Sequence, residues 1–302
     1  MINGTTKIVG VIGDPIEHSL SPAMFNAAFK SLKLDYAYVP FNVKKQDLRS
    51  AIAGAKAFNI KGLNVTIPHK RKVLNEIDKF DIMANLIGAV NTIKFSNGKS
   101  YGYNTDCVGA VRAIEEVCDL KDKNVVIVGA GGAARAIAFQ IAISNVEKLT
   151  IINRSEKKAK FLLYDLKTLL STNFKDNSKL EDITIDFSHI DLNFTHGMIE
   201  SLPKHLKNAD ILIDTTPVGM YPNINDEPIA TANEMHSDLI VNDIVYNPNE
   251  TCLLREAKLA NATTISGIKM LLYQGVENFK IWTGLEAPVD SMEKALLDEI
   301  NK

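Results

Sequence analysis

The 302-residue chain reads as an α/β protein of two domains, and three observations predict it. Strand-like apolar runs alternate with helical ones from the N-terminus, the pattern of parallel sheets flanked by helices. Near the middle, the apolar run Asn124–Val128 turns through Gly129, Ala130, Gly131, Gly132 and Ala133 into an Ala-rich helix, and a second apolar run, Leu149–Ile152, follows one helix length later. Between the domains, a helix from Asp106 carries Val108, Val111, Ile114 and Val117 at helical spacing and runs into the polar break Asp119–Lys123.

First-domain strands are predicted at 7–12, 36–39, 62–67 and 89–93, within residues 1–105. Second-domain strands are predicted at 124–128, 149–152, 210–214, 239–242 and 263–265, within residues 106–267. The segment 171–207 is polar and aperiodic and reads as a long surface insertion without chemistry. Beyond Gly267, two helical stretches rich in Leu, Phe and Trp, residues 268–302, are expected to complete the first domain.

Composition narrows the functional classes. Apolar residues make up 46% and charged residues 23%, which is ordinary for a folded chain with a substantial core. A formal net charge of −2 provides no basic field for a polyanion, so no nucleic-acid partner is expected. Met1–Lys7 has no apolar targeting segment and no apolar stretch reaches a membrane span, so a cytoplasmic protein is expected. Cys107, Cys118 and Cys252 form no C-x-x-C pair and read as reduced thiols, and the six histidines lack metal-ligand spacing, so no metal is expected.

The glycine run carries chemistry. Gly129, Gly131 and Ala134 fill the pattern G-x-G-x-x-A, which gives a tight turn and brings backbone N–H groups and a helix N-terminus up to a pyrophosphate. With a strand on either side at βαβ spacing, it predicts a Rossmann-type dinucleotide-binding domain; a purely steric turn is the alternative. The second strand ends in Asn153, Arg154 and Ser155, with Lys157 and Lys158 behind, where an NAD site places a carboxylate. A guanidinium suits a 2′-phosphate, so NADP is expected, with NAD as the alternative through Glu156. Solvation of a helix N-terminus is the other reading of these charges.

The first domain holds polar residues that composition does not explain. Ser19 and Ser21 precede a predicted helix, with Ser21 as N-cap and Pro22 at the first helical position, or with both hydroxyls facing a ligand carboxylate. Thr66 ends a predicted strand and Lys70 follows it after a proline, Asn91 lies within another strand, and Asp106 starts the linking helix, where it suits an N-cap. Buried, Asn91 requires a partner. Each residue alone has a structural reading; the set does not reduce to it.

These segments, in this order, resemble the shikimate dehydrogenase family, including its quinate/shikimate branch. The resemblance runs through H-S-L-S-P at 18–22, N-V-T-I-P-H-K at 64–70, G-A-V-N-T at 88–92, G-Y-N-T-D at 102–106, the glycine loop, N-R-S at 153–155, T-P-V-G-M at 216–220, V-Y-N-P at 245–248, and Gly267 with Gln274. It implies NADP-linked interconversion of 3-dehydroshikimate and shikimate on the route to aromatic amino acids. By position, it implies substrate contacts from Ser19, Ser21, Thr66, Asn91, Asp106, Tyr246 and Gln274. It implies catalysis by Lys70 with Asp106, and cofactor contacts from Gly129–Ala133, Asn153, Arg154, Ser155, Lys158, Ile244 and Gly267. The residue types agree with that chemistry. Reducing a ketone builds negative charge on oxygen, which a lysine ammonium held by a carboxylate stabilises and protonates. Paired hydroxyls suit the substrate carboxylate, and Asn91, Asp106 and Gln274 suit ring hydroxyls. A quinate/shikimate dehydrogenase using either cofactor and a non-catalytic dinucleotide sensor are the alternatives; retention of both Lys70 and Asp106 argues against the second. The expected partners are these small molecules, with the chain as monomer or homodimer.

Overall fold

A computed structural model describes residues 2–171 and 193–300. The first stretch of chain runs β1 (Lys7–Gly13), α1 (Ser21–Ser31), β2 (Tyr36–Asn42), α2 (Leu48–Ala57), β3 (Gly62–Val65), β4 (Lys79–Phe80), α3 (Ile82–Ile87), β5 (Thr92–Ser96) and β6 (Lys99–Tyr103). Next come α4 (Asp106–Glu115), β7 (Asn124–Val128), α5 (Gly132–Ala142), β8 (Lys148–Asn153), α6 (Glu156–Ser171), β9 (Asn193–Met198), α7 (Leu202–Leu206), β10 (Ile211–Asp214), β11 (Ile240–Asp243), α8 (Cys252–Leu259) and β12 (Thr263–Ile265). The helices α9 (Gly267–Thr283) and α10 (Val289–Ile300) close the chain. It divides into two compact units: among the described residues, one takes 2–105 and 274–300 and the other 106–171 and 193–273, with one division inside α9.

The first unit is built on a sheet of order β2-β1-β3-β5-β6-β4. β1 pairs in parallel with β2 and β3, as alternating strands and helices predict, whereas β5 runs antiparallel to both β3 and β6. Asn97-Gly98, with φ values of 50° and 74°, closes a two-residue hairpin between β5 and β6. The strand expected at 89–93 therefore starts at Thr92 and runs into this hairpin, leaving Asn91 just outside it. In α1, Met24, Phe25, Ala28 and Phe29 repeat at helical spacing and are buried. Phe25 stacks on Tyr38 at 4.6 Å and meets Trp282 at 5.2 Å, and Phe29 meets Phe279 at 5.6 Å. Burying each such ring stabilises the unit by about 1.5–3 kcal/mol relative to exposure. The Trp282 indole also donates to the Ile93 carbonyl at 3.0 Å, which fastens α9 to the sheet. Helix α1 starts one residue earlier than the Ser-Pro pair suggests: Leu20 is the N-cap, Ser21 the first residue and Pro22 the second, and no side chain caps it. Proline is tolerated there because first-turn N–H groups have no partner within the helix.

The second unit has the order β12-β11-β10-β7-β8-β9, with every pair parallel. In chain order, this is the 3-2-1-4-5-6 arrangement of a doubly wound dinucleotide-binding fold, with its switch point between β7 and β10. Residues 193–206 correct one expectation: rather than insertion, they form the edge strand β9 and the helix α7, whose Leu202 and Leu206 are buried. An edge strand pairs on one side only and needs no continuous apolar run, so Asn193–Met198 lacks the signal of a buried strand. The rest of that predicted insertion, 172–192, lies outside the described residues.

Candidate functional site

In the second unit, β7 ends at Val128, and Gly129 (φ 119°) turns the chain toward α5. A β-carbon on Gly129 would lie 2.2 Å from the Thr215 hydroxyl, which itself donates to the Val128 carbonyl at 2.6 Å. Glycine is required there by conformation and by space. Gly131 and Gly132 differ: a β-carbon on either would meet nothing within 4 Å. Gly131 is the N-cap of the 11-residue α5 and no side chain caps that helix. An open face, uncapped N–H groups and the positive end of a helix dipole make a cradle for an anion, and these residues fit a dinucleotide pyrophosphate.

At the end of β8, the Asn153 amide donates to the Ser155 carbonyl at 3.1 Å and orders the turn. Arg154 and Lys158 are exposed, with their charged ends accessible to a ligand. The Glu156 carboxylate, by contrast, lies 3.6 Å from His196 on β9. Arg135 does not join the cradle; it is ion-paired with Asp165 and ties α5 to α6. Asp214 and Asp243, which the sequence reading did not single out, end β10 and β11 as register partners and are 1% and 0% exposed. Burial, followed by repulsion from Asp243, pushes Asp214 well above the usual carboxylate range; burial does the same to Asp243 against its hydrogen bonds to Thr251 and Val245. The sequence signal was a lone acid closing each of two apolar strands, Ile-Leu-Ile-Asp and Ile-Val-Asn-Asp. Gly267 is buried, and a β-carbon there would lie 2.4 Å from the Ile244 carbonyl, so these two predicted cofactor residues pack together. Tyr246, two residues on, is 40% exposed.

In the first unit, a buried polar chain joins several of the predicted residues. The Tyr38 hydroxyl, which the Ser21 side chain also reaches, donates to Asn64 at 2.7 Å, and the Asn64 amide donates to Thr92 at 3.1 Å. The Asn91 oxygen accepts from the Thr92 hydroxyl at 3.0 Å and the Thr105 N–H at 2.9 Å, while its amide donates to the Thr105 hydroxyl at 3.0 Å. Thr92 and Thr105 both reach the Asn278 oxygen, at 2.6 and 2.8 Å, and the Asn278 amide donates to Gln274 at 2.8 Å. Asn91 and Gln274, predicted as separate substrate residues, are thus two points on one network, and Asn91 has the partners its burial demands. Asn64, Thr92, Thr105 and Asn278 were missed. Asn278 lies four residues after Gln274, on the same face of α9, and that polar pair was the available clue.

The remaining predicted residues lie at element ends. The Ser19 hydroxyl accepts from the Ser21 N–H at 3.4 Å. Thr66 follows β3, and its N–H donates to the Ile12 carbonyl at 3.0 Å. Lys70 is half-buried, with its carbonyl accepting from Val90 N–H at 2.8 Å. The intervening His69 is fully buried and hydrogen-bonded to the Val43 carbonyl at 2.7 Å, which fixes the backbone just before Lys70. Asp106 is the first residue of α4, where its charge opposes the helix dipole favourably. Among the described residues, no group of three His, Cys, Asp or Glu is placed to hold a metal, and no helix is long and apolar enough to cross a membrane.

Comparison with known proteins agrees with this geometry. Residues 11–93 match the shikimate dehydrogenase substrate binding domain, residues 111–195 match shikimate / quinate 5-dehydrogenase, and residues 267–297 match the shikimate 5′-dehydrogenase C-terminal domain. A shikimate dehydrogenase (NADP(+)) of Methanobrevibacter smithii is 59% identical, over 98% of this chain and 98% of its own. This chain belongs to the shikimate dehydrogenase family. A crystal structure of shikimate dehydrogenase in complex with NADP+ matches with a TM-score of 0.87 at 47% identity, covering 100% of this chain and 98% of that one. The shikimate 5-dehydrogenase of Listeria monocytogenes, in complex with shikimate and NAD, matches with a TM-score of 0.85 at 35% identity over 98% of each chain. The shikimate dehydrogenase match named for substrate binding covers Ser19, Ser21, Thr66, Lys70 and Asn91, and the next one covers the glycine turn and residues 153–158.

Proposed function

We propose that this chain catalyses the reversible, NADPH-dependent reduction of 3-dehydroshikimate to shikimate in the synthesis of aromatic amino acids, as a cytoplasmic monomer or homodimer. The unit with Lys70 takes the substrate and the unit with the glycine turn takes the dinucleotide. The observation that carries this reading is the open, uncapped turn at Gly131 and Gly132, an anion cradle on a doubly wound sheet. Around it, Gly129–Ala133 hold the pyrophosphate, Asn153, Arg154, Ser155 and Lys158 hold the 2′-phosphate end, and Ile244 and Gly267 complete the contacts. NADPH, when bound, supplies the hydride for the ketone carbon.

The side chains of the chain do the rest. Lys70 stabilises the negative charge that develops on the ketone oxygen and gives it a proton; in the oxidative direction, it takes the proton back. Asp106 holds a ring hydroxyl of the substrate. Ser19 and Ser21 bind the substrate carboxylate, Asn91 and Gln274 hold ring hydroxyls through their shared network, and Thr66 and Tyr246 complete the contacts. The test is NADPH consumption on adding 3-dehydroshikimate. Steady turnover is expected; binding of both molecules without turnover would make the chain a sensor instead.

A further inference from the structure

Asp214 and Asp243 close neighbouring strands in register, so their side chains occupy adjacent positions on one face of the sheet. One Asp214 oxygen accepts from the Thr216 N–H at 2.8 Å and the other, also buried, has no hydrogen-bond partner. Asp243 accepts from the Val245 N–H at 2.9 Å and from the Thr251 hydroxyl at 2.6 Å, and Thr251 is the N-cap of α8. The Ile244 N–H, between them, donates to the Asp214 carbonyl at 3.1 Å. Around the pair, β7 offers Val128 as the register partner of Asp214, and α8 offers the Cys252 thiol, raised by burial; Arg255 acts on that thiol. The charged group acting on Asp214 is Asp243 itself. Two buried negative charges side by side without a cation are strongly unfavourable, and a proton on one of them removes the repulsion.

We propose that Asp214 and Asp243 are positioning residues that share one proton at neutral pH, and through it hold the turn at Thr216 and the loop at Ile244–Tyr246 in place for the dinucleotide. This rests on the reading of that unit as the dinucleotide site. Asp214 is the protonated partner, because its second oxygen accepts nothing, whereas both oxygens of Asp243 accept. Loss of the shared proton above neutral pH drives the two strand ends apart and loosens both segments. Neither aspartate touches the reacting atoms; each acts through the backbone it holds.

Asp214→Asn copies the protonated form and removes the titration above neutral pH. Two profiles test the proposal: urea unfolding of the ligand-free protein from pH 5.5 to 9, and NADP+ affinity by calorimetry from pH 7 to 9, where the 2′-phosphate stays ionised. In the wild type, the unfolding midpoint is expected to fall across the range, and NADP+ affinity to weaken at least fivefold. In Asp214→Asn, the midpoint is expected to be flat from pH 7 to 9 and the affinity change less than twofold. Equal slopes in both proteins would overturn the proposal. Asp243→Asn removes the like charge, so the remaining Asp214 proton is expected to leave at lower pH and the slope above pH 7 to shrink, which decides the question if Asp214→Asn does not fold. Failure to bind NADP+ at every pH would overturn the functional reading, while the unfolding profile still decides the shared proton.

Discussion

A ketone receiving a hydride leaves charge on oxygen, and one ammonium at that oxygen supplies both the counter-charge and the proton. Lys70→Ala is therefore expected to lower kcat by on the order of 10²–10⁴, about 3–5 kcal/mol of barrier. Near-full turnover in that variant, measured by steady-state kinetics with NADP+ affinity as the control for folding, would remove Lys70 from the mechanism. Arg154→Ala is expected to raise KM for NADP+ at least tenfold and KM for NAD+ less than threefold; equal losses would mean that the guanidinium does not read the 2′-phosphate. Lys70, Arg154 and Asp106 are named from the sequence because a ketone reduction and a 2′-phosphate call for those side-chain types. Asn278 was not legible as a partner of Thr92 and Thr105, because that pairing joins residues 186 and 173 positions apart and exists only in the fold.

At the scale of elements, the glycine turn separates two demands that sequence merges. Gly129→Ala forces a side chain into a backbone with φ 119° and against Thr215, and is expected to destabilise the fold by about 2–4 kcal/mol. Gly131→Ala points into open space, so it is expected to cost the fold about 1 kcal/mol or less while weakening NADP+ binding tenfold or more. Urea unfolding and calorimetric titration of the two variants check the contrast; a Gly131→Ala protein with undiminished affinity would contradict the cradle. The strands buried on both faces were legible as apolar runs, β7 and β8 above all. β9, paired on one side only, and β6, whose short hairpin turned on Asn97-Gly98, were not assigned from the sequence, because an edge or a tight turn leaves a weaker apolar pattern.

For the whole molecule, pH acts through groups in both units. Burial pushes Asp78 up, but the Lys56 ammonium at 2.7 Å and Ser100 hold it down at about 2, so its contribution is present above the ordinary carboxylate value near 4 and is lost as pH falls toward 2. The Asp214–Asp243 pair has the opposite sign: with values pushed up to about 8 and about 6, the folded chain binds more protons than the unfolded one, and stability falls as pH rises from about 4 through 8. Unfolding free energy from urea titration is expected to peak in the mildly acidic range, and a maximum above pH 8 would contradict the assignment of the Asp214–Asp243 pair. Two units were expected from the sequence, and the parallel pairing of the second fits its alternating strands and helices, whereas the reversal of β5 against β3 leaves no mark in the periodicity. The most direct test is kcat/KM measured for shikimate and quinate, each with NADP+ and NAD+. The highest value is expected with shikimate and NADP+; no turnover in any combination, or quinate with NAD+ foremost, would contradict the account.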